Sequence, residues 1–556
     1  MIERYNNMKN LTSNQVRELR KQFRESKWHK EVKPVSLVAD SSNKTVLFNV
    51  AGMQQLVPYL VGKDHPHGKR LYNIQKCIRT NDIDDIGDER HFSMFEMMGN
   101  RSLGDYFKKE SLEWTIEFLT SPDYLDMDIN KLGGTIFAGG GIVPRDDFAY
   151  ETLQRLGIKH ITEIGFDENQ ESDNFRTPGA VGPCGPCCEF YYDRWEEGQI
   201  YIDPITGEDM ISDRWLGVND RYTEIWNNVF MEYYGDNGKL IPLSQQNVDT
   251  GMWFERLCMV LQKKETVFDI DLFDKHIYML EWYSSTKYSQ SPKPYRIVMD
   301  HLRASSFLVW DGILPSNEGR GYVLRRLIRR MYYNLDKLTV NNQDIYTIIN
   351  ELVNRFSADY WSYYSELQNS SYIYQIIKKE CEWFQKTVIN WIGQFNNLIK
   401  NGSDKISGFD GFKLYDTYGL PRDIINDLSN DHNIYISRDE FDAELEIAKQ
   451  IARKWANFTK WIDRSRYING LSETFFVWYR ELELPAPHET AESDPKILRD
   501  FVTEETGQRC IVLDKTVFYA ESWGQKGDSW ILTLDDWSNV YISDTIKFAG
   551  VYIHIV

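Results

Sequence analysis

The sequence predicts an α+β chain in three parts: an antiparallel sheet flanked by helices over 1–265, a helical region over 266–465, and an incomplete β-barrel over 466–556. Three observations carry this. Between about 71 and 253, runs of alternating side chains suited to strands are separated by loops. From 268 onward helical spacing takes over, with Arg325, Arg326, Arg329 and Arg330 recurring at i, i+1, i+4 and i+5 on one face. From about 465 short β-like runs appear, at 510–514, 516–520, 530–534 and 551–554.

Composition bounds the function. At 556 residues the chain can bury large cores, and a net charge of −19 argues against unspecific coating of nucleic acid. A local basic face would still admit an RNA partner. Seven cysteines without a disulfide-framework spacing fit a reducing cytoplasm. The polar start MIERYNNMKN carries no signal-peptide core, and no apolar run is long enough to span a membrane, so no membrane partner is expected.

Taken in order, Thr12 to Gln15 is a capping-box signal, and Val16, Leu19 and Phe23 then share a helical face. Residues 34–39 read as a strand, and 44–60 as an apolar strand turning at Ala51-Gly52. Two antiparallel strands follow, about Leu71 to Thr80 and His91 to Met98, joined by an acidic loop. Alternation puts His91, Ser93 and Phe95 on one face, opposite Arg79. That makes a nucleotide cradle: a guanidinium for paired phosphate oxygens, an imidazole for a distal phosphate, a flat ring for adenine. A surface hairpin with a core phenylalanine accounts for the hairpin equally well.

A helix at Ser111 to Leu119 follows, then a strand at Thr135 to Ala138 between glycine runs. No G-x-x-x-x-G-K-[ST] occurs, so a phosphate loop is weakly supported. Cys184-x-x-Cys187 lacks the two further ligands of a structural zinc site, and GPCGPCCEF reads as a tight Gly-Pro loop. The stretch 221–234 is a central strand with Asn227 inside an apolar run. Residues 248–262 are a strand running into a helix. There Asp249 can meet an ammonium group, Gly251 admits close approach, and Arg256 can lie over a purine and reach a phosphate. Residues 340–408 read as helical, ending at the stretch 411–423.

Arg79, a loop, then His91-x-x-x-Phe95 resembles motif 2 of the class II aminoacyl-tRNA synthetases, and 12–39 resembles motif 1. KCIR followed by FEMMGNRSLGDYF is similar to the alanyl-tRNA synthetases, as are GPCGPC, EIWNNVFMEY, PSNEGRGYVLRRLIRR, LYDTYGLP and FYAESWGQKGD, over about 12 to 554. The resemblance implies that ATP and alanine form alanyl-adenylate, which then charges the tRNA(Ala) acceptor stem. Catalysis and ATP binding would fall to Arg79 and Arg256, with His91 and Phe95 completing the ATP site and Mg²⁺ on the phosphates. Asn227, Asp249 and Gly251 would line the alanine pocket. Asn317, Arg325, Arg326, Arg329, Arg330 and Asp416 would meet tRNA. None of the ten histidines forms HxxxH, so no editing-site zinc is expected, and neither is an oligomerisation tail.

Five positions depart from the pattern. Trp28, Trp253, Trp523 and Trp530 stand where the resemblance has glycine, and Trp253 should collide with ATP. A codon read as glycine in the source, UGA being the candidate, would place all four. A chain with a genuine Trp253 would instead be a tRNA-binding protein with a blocked ATP site. Arg176 stands where the family often carries tryptophan beside the alanine pocket, which leaves open a related enzyme for another amino acid.

Overall fold

The computed structural model describes the chain except residues 1–8, 40–46, 169–170, 178–180, 195–220, 237, 339–344, 361, 365–366, 368, 400–404, 417–419, 421, 433, 449–466, 477–494, 504–506, 508, 517, 519–529, 534–538 and 549–550. The expected barrel segment around Trp523 therefore lies outside the described residues. The chain divides into two compact units, Met1–Trp383 and Phe384–Val556.

The first unit is built on a sheet of β1 (Lys30–Glu31), β2 (Arg70–Ile78), β3 (Met94–Leu103), β4 (Leu132–Phe137), β5 (His160–Ile164), β6 (Phe175–Arg176), β7 (Val181–Asp193), β8 (Tyr222–Asp236) and β9 (Lys239–Trp253). The order is β1-β2-β3-β9-β8-β7-β4-β5, with β6 beside β7. Among the described residues of this sheet, β1/β2 and β4/β5 pair in parallel and the other pairs are antiparallel. Its helices are α1 (Ser13–Ser26), α2 (Val57–Leu60), α3 (Lys108–Thr120), α4 (Asp147–Arg155), α5 (Phe254–Leu261), α6 (Asp274–Tyr283), α7 (Pro292–Trp310), α8 (Gly319–Leu338) and α9 (Ile345–Tyr360), and the boundary between the units falls within α10 (Ser370–Ile399).

Helix α1 opens with the expected capping box between Thr12 and Gln15. Its buried face differs from the expected apolar stripe. Val16 and Phe23 are buried, but Leu19 is only half-buried, and Arg17, Arg20 and Arg24 turn inward. Arg17 donates to Glu96 on β3, with Nη1 to Oε1 at 2.9 Å. Arg20 donates to Asn100 Oδ1 at 2.8 Å, and its guanidinium lies 4.8 Å from the Trp226 ring centroid. Helical spacing says which residues share a face; it does not say that the face must be apolar when the strand beneath carries acceptors.

The expected strand at 34–39 does not form. Its N–H groups find side chains instead: Val35 donates to Gln75 Oε1 at 2.9 Å and Leu37 to Asp311 Oδ2 at 2.5 Å. The hairpin's second strand begins at Met94, so His91 belongs to the loop. GPCGPCCEF is not a loop but part of β7, with its register slipped between Cys184 and Cys187. A side chain at Gly185 would place Cβ 2.0 Å from the Phe230 carbonyl oxygen, so glycine lets the strands close there.

His29, just past α1, is buried with Nε2 2.9 Å from the Tyr106 hydroxyl. Burial, then the charges of Arg24, Arg20 and Arg70, push its pKa down to about 2. The unfolded chain takes up this proton near pH 6.5 and the folded chain does not, so stability falls as pH drops below that value. Relative to His29→Gln, the native chain should lose about 1.4 kcal/mol per pH unit between ~6 and ~4.5, read from urea midpoints. Parallel curves would refute this.

In the second unit, α11 (Gly408–Asp416) and α12 (Arg422–Asp431) precede short strands. The stretch expected to end a helix opens, at Gly411 to Asp416, inside α11. Four strands, Ile497–Val502, Arg509–Leu513, Val551–Ile555 and Asp544–Phe548, form one antiparallel sheet in that order. Trp530–Thr533 and Asn539–Ile542 pair separately. The chain is thus α+β, an antiparallel-rich sheet followed by helices and small sheets. No described helix is long and apolar enough to cross a membrane.

Candidate active site

Residues paired across strands point to the same side of a sheet. Cys77 faces Phe95, Met97 faces Trp253, Arg101 faces Asp249, Gly251 faces Asn227, and Asn227 faces Glu189. One face of five adjacent strands therefore collects Phe95, Asn227, Asp249 and Gly251, four of the seven residues singled out for ATP and alanine. Arg79 continues that face beyond β2, its N–H donating to the Ser93 carbonyl at 2.8 Å.

Arg79, Phe95 and Arg256 meet around one ring, the indole of Trp253. That indole lies parallel to Phe95, with centroids 3.9 Å apart and planes 6° apart. The Arg256 guanidinium carbon is 4.0 Å from the indole centroid and that of Arg79 is 5.2 Å. Arg79 also lies 5.1 Å from the Phe95 ring. Since Phe95 covers one indole face, Arg256 must take the other. Arg256 is oriented by Glu224, donating to Oε2 at 3.0 Å. The β7/β8 register shifts between Phe190 and Tyr191, leaving Ile225 extra; such a bulge turns Glu224 to the site face.

His91 lies in the loop before β3, half-buried. Asp88 accepts its Nδ1 at 2.5 Å and the backbone N–H groups of Arg90 and His91 at 2.9 and 2.8 Å. Burial favours the neutral Asp88 carboxyl, but these donors hold it below the usual carboxylate range.

Two buried carboxylates lie further along the face. Asp249 accepts Arg101 Nε at 2.8 Å, and burial raises its pKa against that arginine's pull. Glu189 accepts Arg176 at 2.9 Å, Asn227 Nδ2 at 2.8 Å and the Tyr191 hydroxyl at 2.7 Å. Burial, with Glu224 nearby, pushes it up to about 8. A Cβ at Gly251 would lie 2.9 Å from Met97 Sδ, so a larger residue there would push that side chain aside.

Arg101, Glu189 and Glu224 escaped sequence reasoning, since their signal is strand register. Arg101 also explains Gly52. A Cβ at 52 would lie 2.0 Å from Arg101 Nη2, and the buried guanidinium is held through Nε by Asp249 at 2.8 Å and through Nη1 by Asn73 at 2.5 Å. Gly52→Ala should destabilise the chain by about 1–3 kcal/mol through this overpacking, measured by denaturant unfolding. A cost near zero would mean that Arg101 yields freely.

The basic run on α8 is not one open face. Arg330 is 1% exposed and donates to the carbonyls of Ile83 and Ile86 in the acidic loop. Arg329 is buried against Glu380, with Nε to Oε1 at 2.9 Å. Arg326 pairs with Asp84, and Arg325 with Glu380 at 3.2 Å and with exposed Asn317. Asp416 ends α11, and its side chain lies outside the described residues. Among the described residues no group of three or more His, Cys, Asp or Glu could hold a metal.

A family model described as tRNA synthetases class II (A) matches residues 15–556. The chain belongs to that family. Alanine–tRNA ligase of Alkaliphilus oremlandii (strain OhILAs) is 35% identical over 541 residues, covering 94% of this chain and 58% of that protein. Alanine–tRNA ligase of Borrelia hermsii (strain HS1 / DAH) is 39% identical over 448 residues, covering 79% of this chain and 73% of that protein. Among solved structures, S. aureus histidyl-tRNA synthetase has a TM-score of 0.27 at 11% identity, covering 47% of this chain and 73% of that one. This class II (A) synthetase chain thus spans 58% of the length of the Alkaliphilus relative.

Proposed function

We propose that this chain is an alanine–tRNA ligase: it joins alanine to AMP and passes the alanyl group to tRNA(Ala). The observation that carries this is the meeting of Arg79, Phe95 and Arg256 at one slot, with Asp249 and Asn227 on the same sheet face. Phe95 and Arg256 would sandwich adenine. The alanine carboxylate would attack the α-phosphorus; an oxygen–phosphorus bond forms, and the bond to the β-phosphate's bridging oxygen breaks. Pyrophosphate leaves with its electron pair. Arg79 would balance charge growing on the α-phosphate, while His91 and Arg256 hold the outer phosphates. Mg²⁺ would neutralise those phosphates. It would be held largely by them and by water, as suits an ion that needs few protein ligands.

Asp249 would fix the substrate ammonium, and Asn227 the carboxylate side. Arg325, Arg326 and Asn317 are the groups on α8 and its approach best placed for an acceptor stem; Arg329 and Arg330 would act by holding their neighbours. Alanine-dependent ATP–pyrophosphate exchange tests the reading in the Trp253→Gly chain. No exchange with any small amino acid would sink it. The second reading, an RNA-binding protein with a closed nucleotide site, is favoured by the seated indole. It expects tRNA(Ala) binding with no exchange in either form.

A pocket for a methyl group rejects an added hydroxyl weakly. Serine should therefore be charged measurably, and a preference for alanine beyond ~10⁴-fold would contradict this pocket.

A further inference from the structure

We infer that codons 28 and 253 are decoded as glycine in the organism that makes this protein, and that the slot filled by the Trp253 indole is a purine site. Two unrelated observations meet here. Trp28 follows α1 in the left-handed region at φ 61°, closing the helix with N–H bonds from Trp28 to Glu25 O at 2.9 Å and from His29 to Arg24 O at 3.0 Å. That paired closure is where helices place glycine. The Trp28 side chain is 78% exposed, and the nearest cation, Arg70, is 5.8 Å from its ring. The indole gains little packing for its backbone strain. Lys263 ends α5 the same way at φ 53°, so this turn alone tolerates a flexible side chain. A β-carbon bearing a rigid indole is a poorer occupant.

Position 253 is the opposite case: an ordinary backbone at φ −72° and a side chain only 4% exposed. Here the fault lies in what the ring displaces. Indole is a flat bicycle of purine size, seated parallel on Phe95 under the Arg256 guanidinium, with Arg79 beside it. Without the side chain, the same clamp stands open by one ring thickness, with two guanidiniums placed for anionic oxygens. This half rests on the ligase reading; the argument at position 28 does not.

Other tryptophans are built into the fold. Trp226 is fully buried against the guanidiniums of Arg20 and Arg24, at 4.8 and 5.4 Å, and edge-on to Phe118. Trp114 packs on Tyr106 and His29 at 4.6 and 5.8 Å. Two classes of tryptophan codon are therefore expected: UGG at 114 and 226, and a different codon, UGA, at 28 and 253. Peptide mass spectrometry of the native protein should find glycine at 28 and 253 and tryptophan at 114 and 226. UGG at either 28 or 253, or a native peptide carrying tryptophan there, overturns the inference. Nucleotide binding by the Trp28→Gly/Trp253→Gly chain keeps the two readings apart. Glycine peptides without ATP binding leave the decoding standing and sink the purine site with the ligase reading. UGG codons with ATP binding by that chain do the reverse for the decoding.

Discussion

Trp253→Gly should raise the affinity for ATP by on the order of 100-fold over the chain bearing tryptophan. An adenine ring cannot reach Phe95 while the indole covers it, so ATP binds only the fraction of molecules in which the ring has swung out. Burying a tryptophan side chain removes about 150–250 Å² from water, worth about 4–6 kcal/mol at full exposure. The displaced ring would keep part of its contacts, so the free-energy gap is about 3 kcal/mol, or roughly two decades in apparent affinity. The variant should also melt lower without ligand, because the vacated slot is a cavity. Saturating ATP should recover most of that loss, since a ligand that binds only the folded state stabilises it. Calorimetric titration with a non-hydrolysable ATP analogue reads the affinity, and thermal unfolding reads the recovery. Equal affinity in the two chains would mean that the purine does not use this slot.

What could be read from the sequence was the set of residues that meet. Alternation relates Phe95 to Arg79, because strand period fixes the face; that Arg256 joins them was implied only by the resemblance to the class II synthetases. What could not be read was register. Arg101 faces Asp249 only because β3 and β9 pair with a particular offset. The bulge that turns Glu224 toward Arg256 has no local signature in TEIWNN. Burial of charge was equally hidden. Arg325, Arg326, Arg329 and Arg330 of α8 share a helical side, but periodicity cannot tell that Arg330 is spent on the carbonyls of the acidic loop. Two prolines made 182–188 look like a loop; a strand whose register slips accommodates them.

Glu255 stands on α5 beside Arg256. It is fully buried, accepting Arg303 Nη1 at 2.8 Å and the Glu96 N–H at 3.2 Å. Arg303 also donates to the Met94 carbonyl and, at 3.1 Å, to the Tyr360 hydroxyl. One guanidinium on α7 thereby joins β3, which carries Phe95, to α5, which carries Arg256. Arg303→Ala should cost about 3–5 kcal/mol, because it strands a buried carboxylate as well as losing contacts. The pH dependence identifies the cause. Burial already raises the Glu255 pKa against the pull of Arg303, and without Arg303 it rises further. A carboxyl whose folded pKa exceeds its unfolded value costs stability increasingly as pH rises above the unfolded value. The deficit should therefore be larger at pH 8 than at pH 5. Adding Glu255→Leu should restore part of the loss at pH 8 by removing the stranded charge. Urea unfolding of the two variants at both pH values settles it: a deficit independent of pH, or no recovery in the double variant, would make Arg303 a packing residue rather than the counter-charge that holds the two halves of the clamp in register.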